Sequence, residues 1–346
     1  MLFSEIAGQE KARGFLLGVL ERENLPHAYL FTGIPGVGKR STAMALATAV
    51  NCTSPSHGDG CGHCLSCRRI AGGNSPDFLA MGPDGRNIRI KQIRELNRSL
   101  AFAPVSSRYR VVVLRRCETM TAEAANAFLK TLEEPPPGNI FILTATEPMD
   151  LLPTIVSRCQ KVSFQPIPVT AIKNLLEEKN KISEEKASVL ARLSSGSLGW
   201  AMEMAEDGFL EKRDKWLARI MELPGLSKGQ LLKVVFEWAE DMKRSGAPSE
   251  GQGGTPALVE ILDFWKAWYR DLLVTRAGSE DKYLTNKDFS QKLKKMVHGF
   301  IIKNLIKSIH LIDRAQRDVL ENRNAALVLE NLVLNLKTLT GSSKCS

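Results

Sequence analysis

The run Ala28-Tyr-Leu-Phe-Thr32 leads straight into Gly33-Ile-Pro-Gly-Val-Gly38-Lys39-Arg40-Ser41, and Ala-rich, helix-forming sequence follows. A G-x-x-x-x-G-K turn works only where a buried strand delivers it to a helix N-terminus, because its glycines let successive N–H groups close around an anion. This segment commits the start of the chain to a strand–loop–helix unit. Gly33, Gly36, Gly38, Lys39, Arg40 and Ser41 are the candidate phosphate-binding residues, with Lys39 placed to reach the β- and γ-phosphates of a nucleotide such as ATP.

The first half of the chain repeats that alternation. Strand patterns at 28–32, 78–81, 110–114, 139–144 and 161–164 are separated by helical patterns near 9–22, 39–51, 65–72, 90–100 and 121–134. Such alternation predicts an α/β fold, a parallel sheet with helices on both faces. Thr121 can cap the last of these helices, and Pro135-Pro136-Pro137 stops it. Beyond residue 165 no strand pattern occurs. Residues 169–207 read as a small helical unit broken at Gly196 and Gly199. Residues 208–346 read as a longer helical bundle, with Leu327, Leu329, Leu332, Val333 and Leu336 on one apolar face and a Gly/Ser/Pro-rich loop at 245–256. A chain of 346 residues exceeds what one core usually serves, so several domains are expected. No apolar run is long enough to span a membrane, and no signal sequence precedes the first helix. The expected location is the cytoplasm.

Two features depart from a working ATPase. The residue after Lys39 should be Ser or Thr, to hold Mg²⁺, but it is Arg40. Ser41 comes one place late, which on a helix is about 100° of rotation. The apolar strand Val111-Val-Val-Leu114 should end in acids that hold the metal and orient water, but Arg115-Arg116 follow. Glu118 is displaced by two residues and is expected to project elsewhere. Mg²⁺ is left without its usual ligands, so ATP is expected to bind, if it binds, through Arg40 and without hydrolysis.

Four of the seven cysteines form a C-x8-C-x2-C-x2-C cluster, Cys52, Cys61, Cys64 and Cys67. Thiolates at these spacings can converge on one tetrahedral Zn²⁺ with no open position, a structural rather than a catalytic site. No aromatic residue lies between Cys52 and Cys67, which argues against a base-stacking zinc ribbon. Cys117, Cys159 and Cys345 have no such company. The net charge of +9 makes a polyanion a plausible partner. Nine basic residues lie between Arg86 and Arg116 against Glu95 alone, and Lys91, Arg94 and Arg98 share one helix face. That row fits either a DNA backbone or an acidic neighbour.

These residues resemble a known family, the bacterial DNA polymerase III clamp-loader subunits of the AAA+ class. The resemblance rests on Gly8-Gln9, the phosphate loop, the four-cysteine module after it, Asn126-Ala-Phe-Leu-Lys-Thr-Leu-Glu-Glu-Pro135 and Ser157-Arg158-Cys159. It covers residues 1–205 by motif and the rest by length and pattern. It implies an ATPase-type domain at 1–165 with a zinc module at 52–67, a helical lid at 166–207 and a helical collar at 208–346. Motor subunits of that family, gamma and tau, keep the loop Ser/Thr, the acidic pair and a lid arginine. Here stand Arg40, Arg115-Arg116 and Gly199, so the chain resembles the delta-prime branch, which does not hydrolyse ATP. The resemblance further implies that Arg158 is an arginine finger reaching the nucleotide of a neighbouring ATPase subunit. Its implied partners are gamma/tau, the delta subunit, the sliding clamp and primed DNA. The competing readings are a DNA-stimulated motor subunit and a zinc-containing DNA-binding adaptor.

Overall fold

The computed structural model describes residues 1–22, 25–206, 208–245, 257–321 and 323–340. Most of the loop expected at 245–256 and Cys345 lie outside them. The first half runs α1 (Glu10–Glu21), β1 (Ala28–Thr32), α2 (Lys39–Val50), α3 (Leu65–Ala71), β2 (Phe78–Met81), α4 (Ile90–Leu100), β3 (Arg110–Leu114), α5 (Ala122–Glu133), β4 (Asn139–Ala145), α6 (Pro153–Val156) and β5 (Gln160–Ser163). The five strands form one parallel sheet in the order β2-β3-β4-β1-β5. β1, β3 and β4 are buried along their whole length, as strands covered by helices on both faces must be. Thr121 caps α5 as expected, accepting a bond from the Ala124 N–H at 3.3 Å. No strand follows Ser163 among the described residues.

The remaining helices are α7 (Val169–Asn180), α8 (Glu184–Leu193), α9 (Leu198–Met204), α10 (Phe209–Glu222), α11 (Lys228–Ser245), α12 (Ala257–Arg276), α13 (Ser290–Met296), α14 (Ile302–Leu320) and α15 (Ala325–Thr340). The chain divides into two compact units. One holds Met1–Ala187 with Ser194–Glu203, the other Ser188–Leu193 with Met204–Ser346. In the second unit Trp216, Trp238 and Trp265 meet edge-to-face with centroids 5.8–6.3 Å apart. Arg219 lies over Trp216 at 4.3 Å. α15 buries Leu329, Leu332, Val333 and Leu336, whereas Leu327, expected on the same face, is 63% exposed. Among the described residues no helix is long and apolar enough to cross a membrane.

One of the nine clustered basic residues is not on the surface. Arg110 is buried and donates to the carbonyls of Ser99, Phe102 and Ala103, tying down the C-terminus of α4. Its charge faces Asp77 at 3.9 Å, with side-chain exposures of 5% and 0%. Burial pushes the Asp77 carboxyl up, but the N–H groups of Ser106 and Val105 donate to it and hold it below its ordinary range. Removing one partner of a buried pair leaves an uncompensated charge, so Asp77→Ala should destabilise the protein by about 3–5 kcal/mol in urea denaturation. A carboxyl depressed by folding stabilises above its unfolded value of about 3.9 and stops doing so as pH falls through its folded value. The variant should therefore lose less stability than wild type on acidification below about pH 4.

Candidate functional site

β1 ends at Thr32, and the Gly33 N–H donates to Thr146 O at 3.0 Å beyond the end of β4. The phosphate loop thus leaves the carboxyl edge of the sheet between β4 and β5, where parallel α/β sheets bind ligands. Lys39, Arg40 and Ser41 fall on the first turn of α2, with Arg40 exposed and Lys39 and Ser41 partly buried. The Lys39 amine is turned back onto its own loop, bonded to Gly33 O and, at 3.0 Å, to Ile34 O. Burial lowers its pKa, and the charge of Glu118 works against that.

Glu118, expected to project elsewhere, sits beside Arg116. Arg116 takes a left-handed conformation (φ 56°), and a single 3₁₀ turn over Cys117–Thr119 bends the chain back. Arg116 Nε lies 4.0 Å from the Glu118 carboxylate. Arg115 and Arg116 leave the end of β3 as the sequence reading placed them, next to the end of β4.

The loop is also held from two other sides. The Gln9 side chain donates to Val37 O at 3.3 Å and to Gln165 O at 2.7 Å, and accepts from the Gln165 N–H at 3.1 Å. One amide bridges the loop and the segment after β5, a role the sequence marked only as part of a family pattern. From the start of α9, the Gly199 N–H donates to Gly36 O at 2.9 Å. A Cβ on Gly199 would sit 3.0 Å from Gly36 Cα, and one on Gly36 would sit 2.2 Å from Ser197 Oγ.

Arg158 follows α6 and precedes β5. Since β5 runs parallel to β1 with Gln160 opposite Tyr29 and Ser163 opposite Thr32, the start of β5 lies at the amino edge of the sheet. Arg158 and the phosphate loop of its own chain are thus at opposite edges, about 15–20 Å apart at the usual rise per residue. Beside Arg158 an open groove is lined by Met149, Leu151, Pro153, Val156 and Cys159 together with the polar Ser157, Gln160 and Lys161, and Met149 is 86% exposed.

The four clustered cysteines converge. Their sulfurs all lie within 4.8 Å of one another, and Cys61 Sγ is 4.0 Å from Cys67 Sγ. A tetrahedral zinc with bonds of about 2.3 Å separates its sulfurs by about 3.8 Å, so the donor set fits such an ion. Burial opposes ionisation of Cys64, but N–H groups of Cys67 and Thr53 donate to its sulfur and bring its pKa to about 5. Cys67, the most buried, is pushed up to about 12. Asp59, inside the module, accepts from the N–H groups of Phe3 and Ser4, both at 3.0 Å, and pins the start of the chain. Cys117 and Cys159 are buried in the core of the sheet unit, and burial raises both thiols.

Comparison with known proteins sets this geometry in a family. A family model described as DNA polymerase III, delta subunit matches residues 8–168. Another, described as DNA polymerase III, delta subunit, C terminal, matches residues 254–338. DNA polymerase III subunit delta' of Bacillus subtilis is 31% identical over 331 residues, spanning 95% of this chain and 96% of that protein. The chain belongs to the delta-prime family of DNA polymerase III clamp-loader subunits. Subunit tau of Bacillus subtilis is 30% identical over 288 residues, 80% of this chain but 50% of that protein. The crystal structure of a gamma subunit-related protein from Thermotoga maritima shares the fold, with a TM-score of 0.51 at 24% identity over 94% of this chain and 99% of that one.

In this clamp-loader subunit the phosphate loop and the start of α9 meet backbone to backbone at Gly36 and Gly199. Gly36 has a φ of +72°, which a side chain adopts only under strain. Gly36→Ala combines that strain with a clash against Ser197, and should lower stability by about 1–3 kcal/mol in chemical denaturation.

Proposed function

We propose that this chain is a non-hydrolysing subunit of the DNA polymerase III clamp loader that lends Arg158 to the ATP site of a neighbouring subunit. The observation carrying this reading is the edge-to-edge placement of Arg158 and the phosphate loop. An arginine at the amino edge of the sheet cannot serve a nucleotide held at the carboxyl edge of the same sheet, but it can face a second chain. The open groove beside it suits a protein neighbour. A finger supplied in trans stabilises charge that develops as the γ-phosphoryl group leaves, an effect of about 10³–10⁵ in rate in GTPases.

The chain's own site supports a passive role. Arg115 and Arg116 replace the acids, Glu118 is paired with Arg116, and Lys39 is bonded to its own loop. ATP bound here would meet Lys39, Arg40 and Ser41 with no carboxylate pair for Mg²⁺. The partners in this reading are gamma/tau and delta in a ring, joined by a collar at 208–346, with a lid at 166–207 closing on the domain at 1–165. The ring would open the sliding clamp and place it on primed DNA in the cytoplasm. Purified alone, the chain should show no ATP turnover with or without primed DNA. In the assembled loader Arg158→Ala should remove one site's share of the initial ATP hydrolysis burst. DNA-stimulated turnover by the isolated chain would instead identify a motor.

The cysteine module is proposed as a structural zinc site. Cys52, Cys61, Cys64 and Cys67 would fill all four positions of the ion, leaving none for catalysis. Zinc there would fix the 52–67 segment and, through Asp59, the start of the chain. Protein purified without chelator should carry one zinc per chain, and Cys64→Ser should lose it together with thermal stability. Full stability in a metal-free preparation would contradict the site.

A further inference from the structure

Arg158 is gripped at both terminal nitrogens by groups from different elements. Its Nη2 donates to Glu133 Oε1 at 2.7 Å, on the last residue of α5. Its Nη1 donates to Thr154 O on α6 at 3.0 Å and to Ser157 Oγ at 3.4 Å. A point charge would need only one such contact. A planar guanidinium held at both ends has its plane fixed as well as its position. The pair is open to water, with side-chain exposures of 36% for Arg158 and 50% for Glu133, and pairs this exposed contribute little to folding. Three of the five N–H donors are engaged in these bonds. The Nε–H and the second Nη2 hydrogen remain for an incoming phosphate oxygen.

We propose that Glu133 is a positioning residue for Arg158, holding the guanidinium in the orientation in which a neighbouring chain's nucleotide meets it. This rests on the reading of Arg158 as a finger. The carboxylate offsets part of the cation's charge, so its benefit is geometric. A finger fixed before the encounter loses less freedom on reaching the phosphate than one that swings on a flexible stem. Glu133 itself touches no substrate. It acts through Arg158 or not at all, which makes its effect separable from a general structural one.

The test uses the assembled loader reconstituted with wild-type subunit, Arg158→Ala, Glu133→Ala, Glu133→Gln and the double alanine variant. Assembly is verified by gel filtration, folding by the urea midpoint, and ATP hydrolysis is followed before steady state. Glu133→Ala should convert one site's share of the burst into a phase slower by about three- to fivefold, the scale of one exposed charge-assisted contact. Glu133→Gln should fall between wild type and Ala, since its amide oxygen still accepts a bond from Nη2. The double variant should match Arg158→Ala alone, because the finger that Glu133 orients is gone. A Glu133→Ala burst equal to or faster than wild type, with Arg158→Ala slow, overturns the positioning role and leaves the finger standing. A double variant slower than Arg158→Ala overturns it too, by showing that Glu133 acts through another route. A full burst in Arg158→Ala removes the finger itself, and the inference falls with it.

Discussion

The parallel pairing of β1 with both β4 and β5 is the constraint on which the rest of this molecule depends. A parallel pair cannot be closed by a hairpin, so each strand must be followed by a crossover. Here the crossovers carry the cysteine module, the basic helix α4 and the segment that ends in α5. The same pairing sorts the functional groups by direction of travel. Whatever follows a strand lies at the carboxyl edge, and whatever precedes one lies at the amino edge. The phosphate loop, Arg115 and Arg116 belong to the first set and Arg158 to the second. The two edges of one sheet thus present different chemistry, a phosphate loop at one and a water-accessible arginine at the other.

At the carboxyl edge the loop keeps its glycine-built backbone while cations follow β3. The backbone of a nucleotide site survives, with glycines in place and a lysine at the start of α2. The cations are Arg115 and Arg116, and Glu118 lies 4.0 Å from Arg116. At the amino edge Arg158 is held from two sides. The guanidinium is fixed by a carboxylate and a carbonyl from two helices, beside an open groove.

Much of this was legible in the sequence, for identifiable reasons. The five strands could be read because buried parallel strands are unbroken apolar runs, and the four cysteines because metal ligation fixes their spacing. Arg110 was misjudged as one of a basic cluster. Its partner Asp77 lies 33 positions earlier, and burial of an arginine leaves no local mark. The path to Glu118 passes through a left-handed residue at Arg116, which no glycine announces. Gln9 and Glu133 lay inside family patterns, yet their partners are brought to them by the sheet and not by sequence spacing.

The contact between Gly36 and Gly199 carries a consequence for substitution at either position. Without side chains the two backbones pack directly and share a hydrogen bond. Any side chain at 199 would start 3.0 Å from Gly36 Cα, and any at 36 would start 2.2 Å from Ser197 Oγ. The two positions therefore form one packing unit. A larger residue at either is accommodated only if the other segment moves with it.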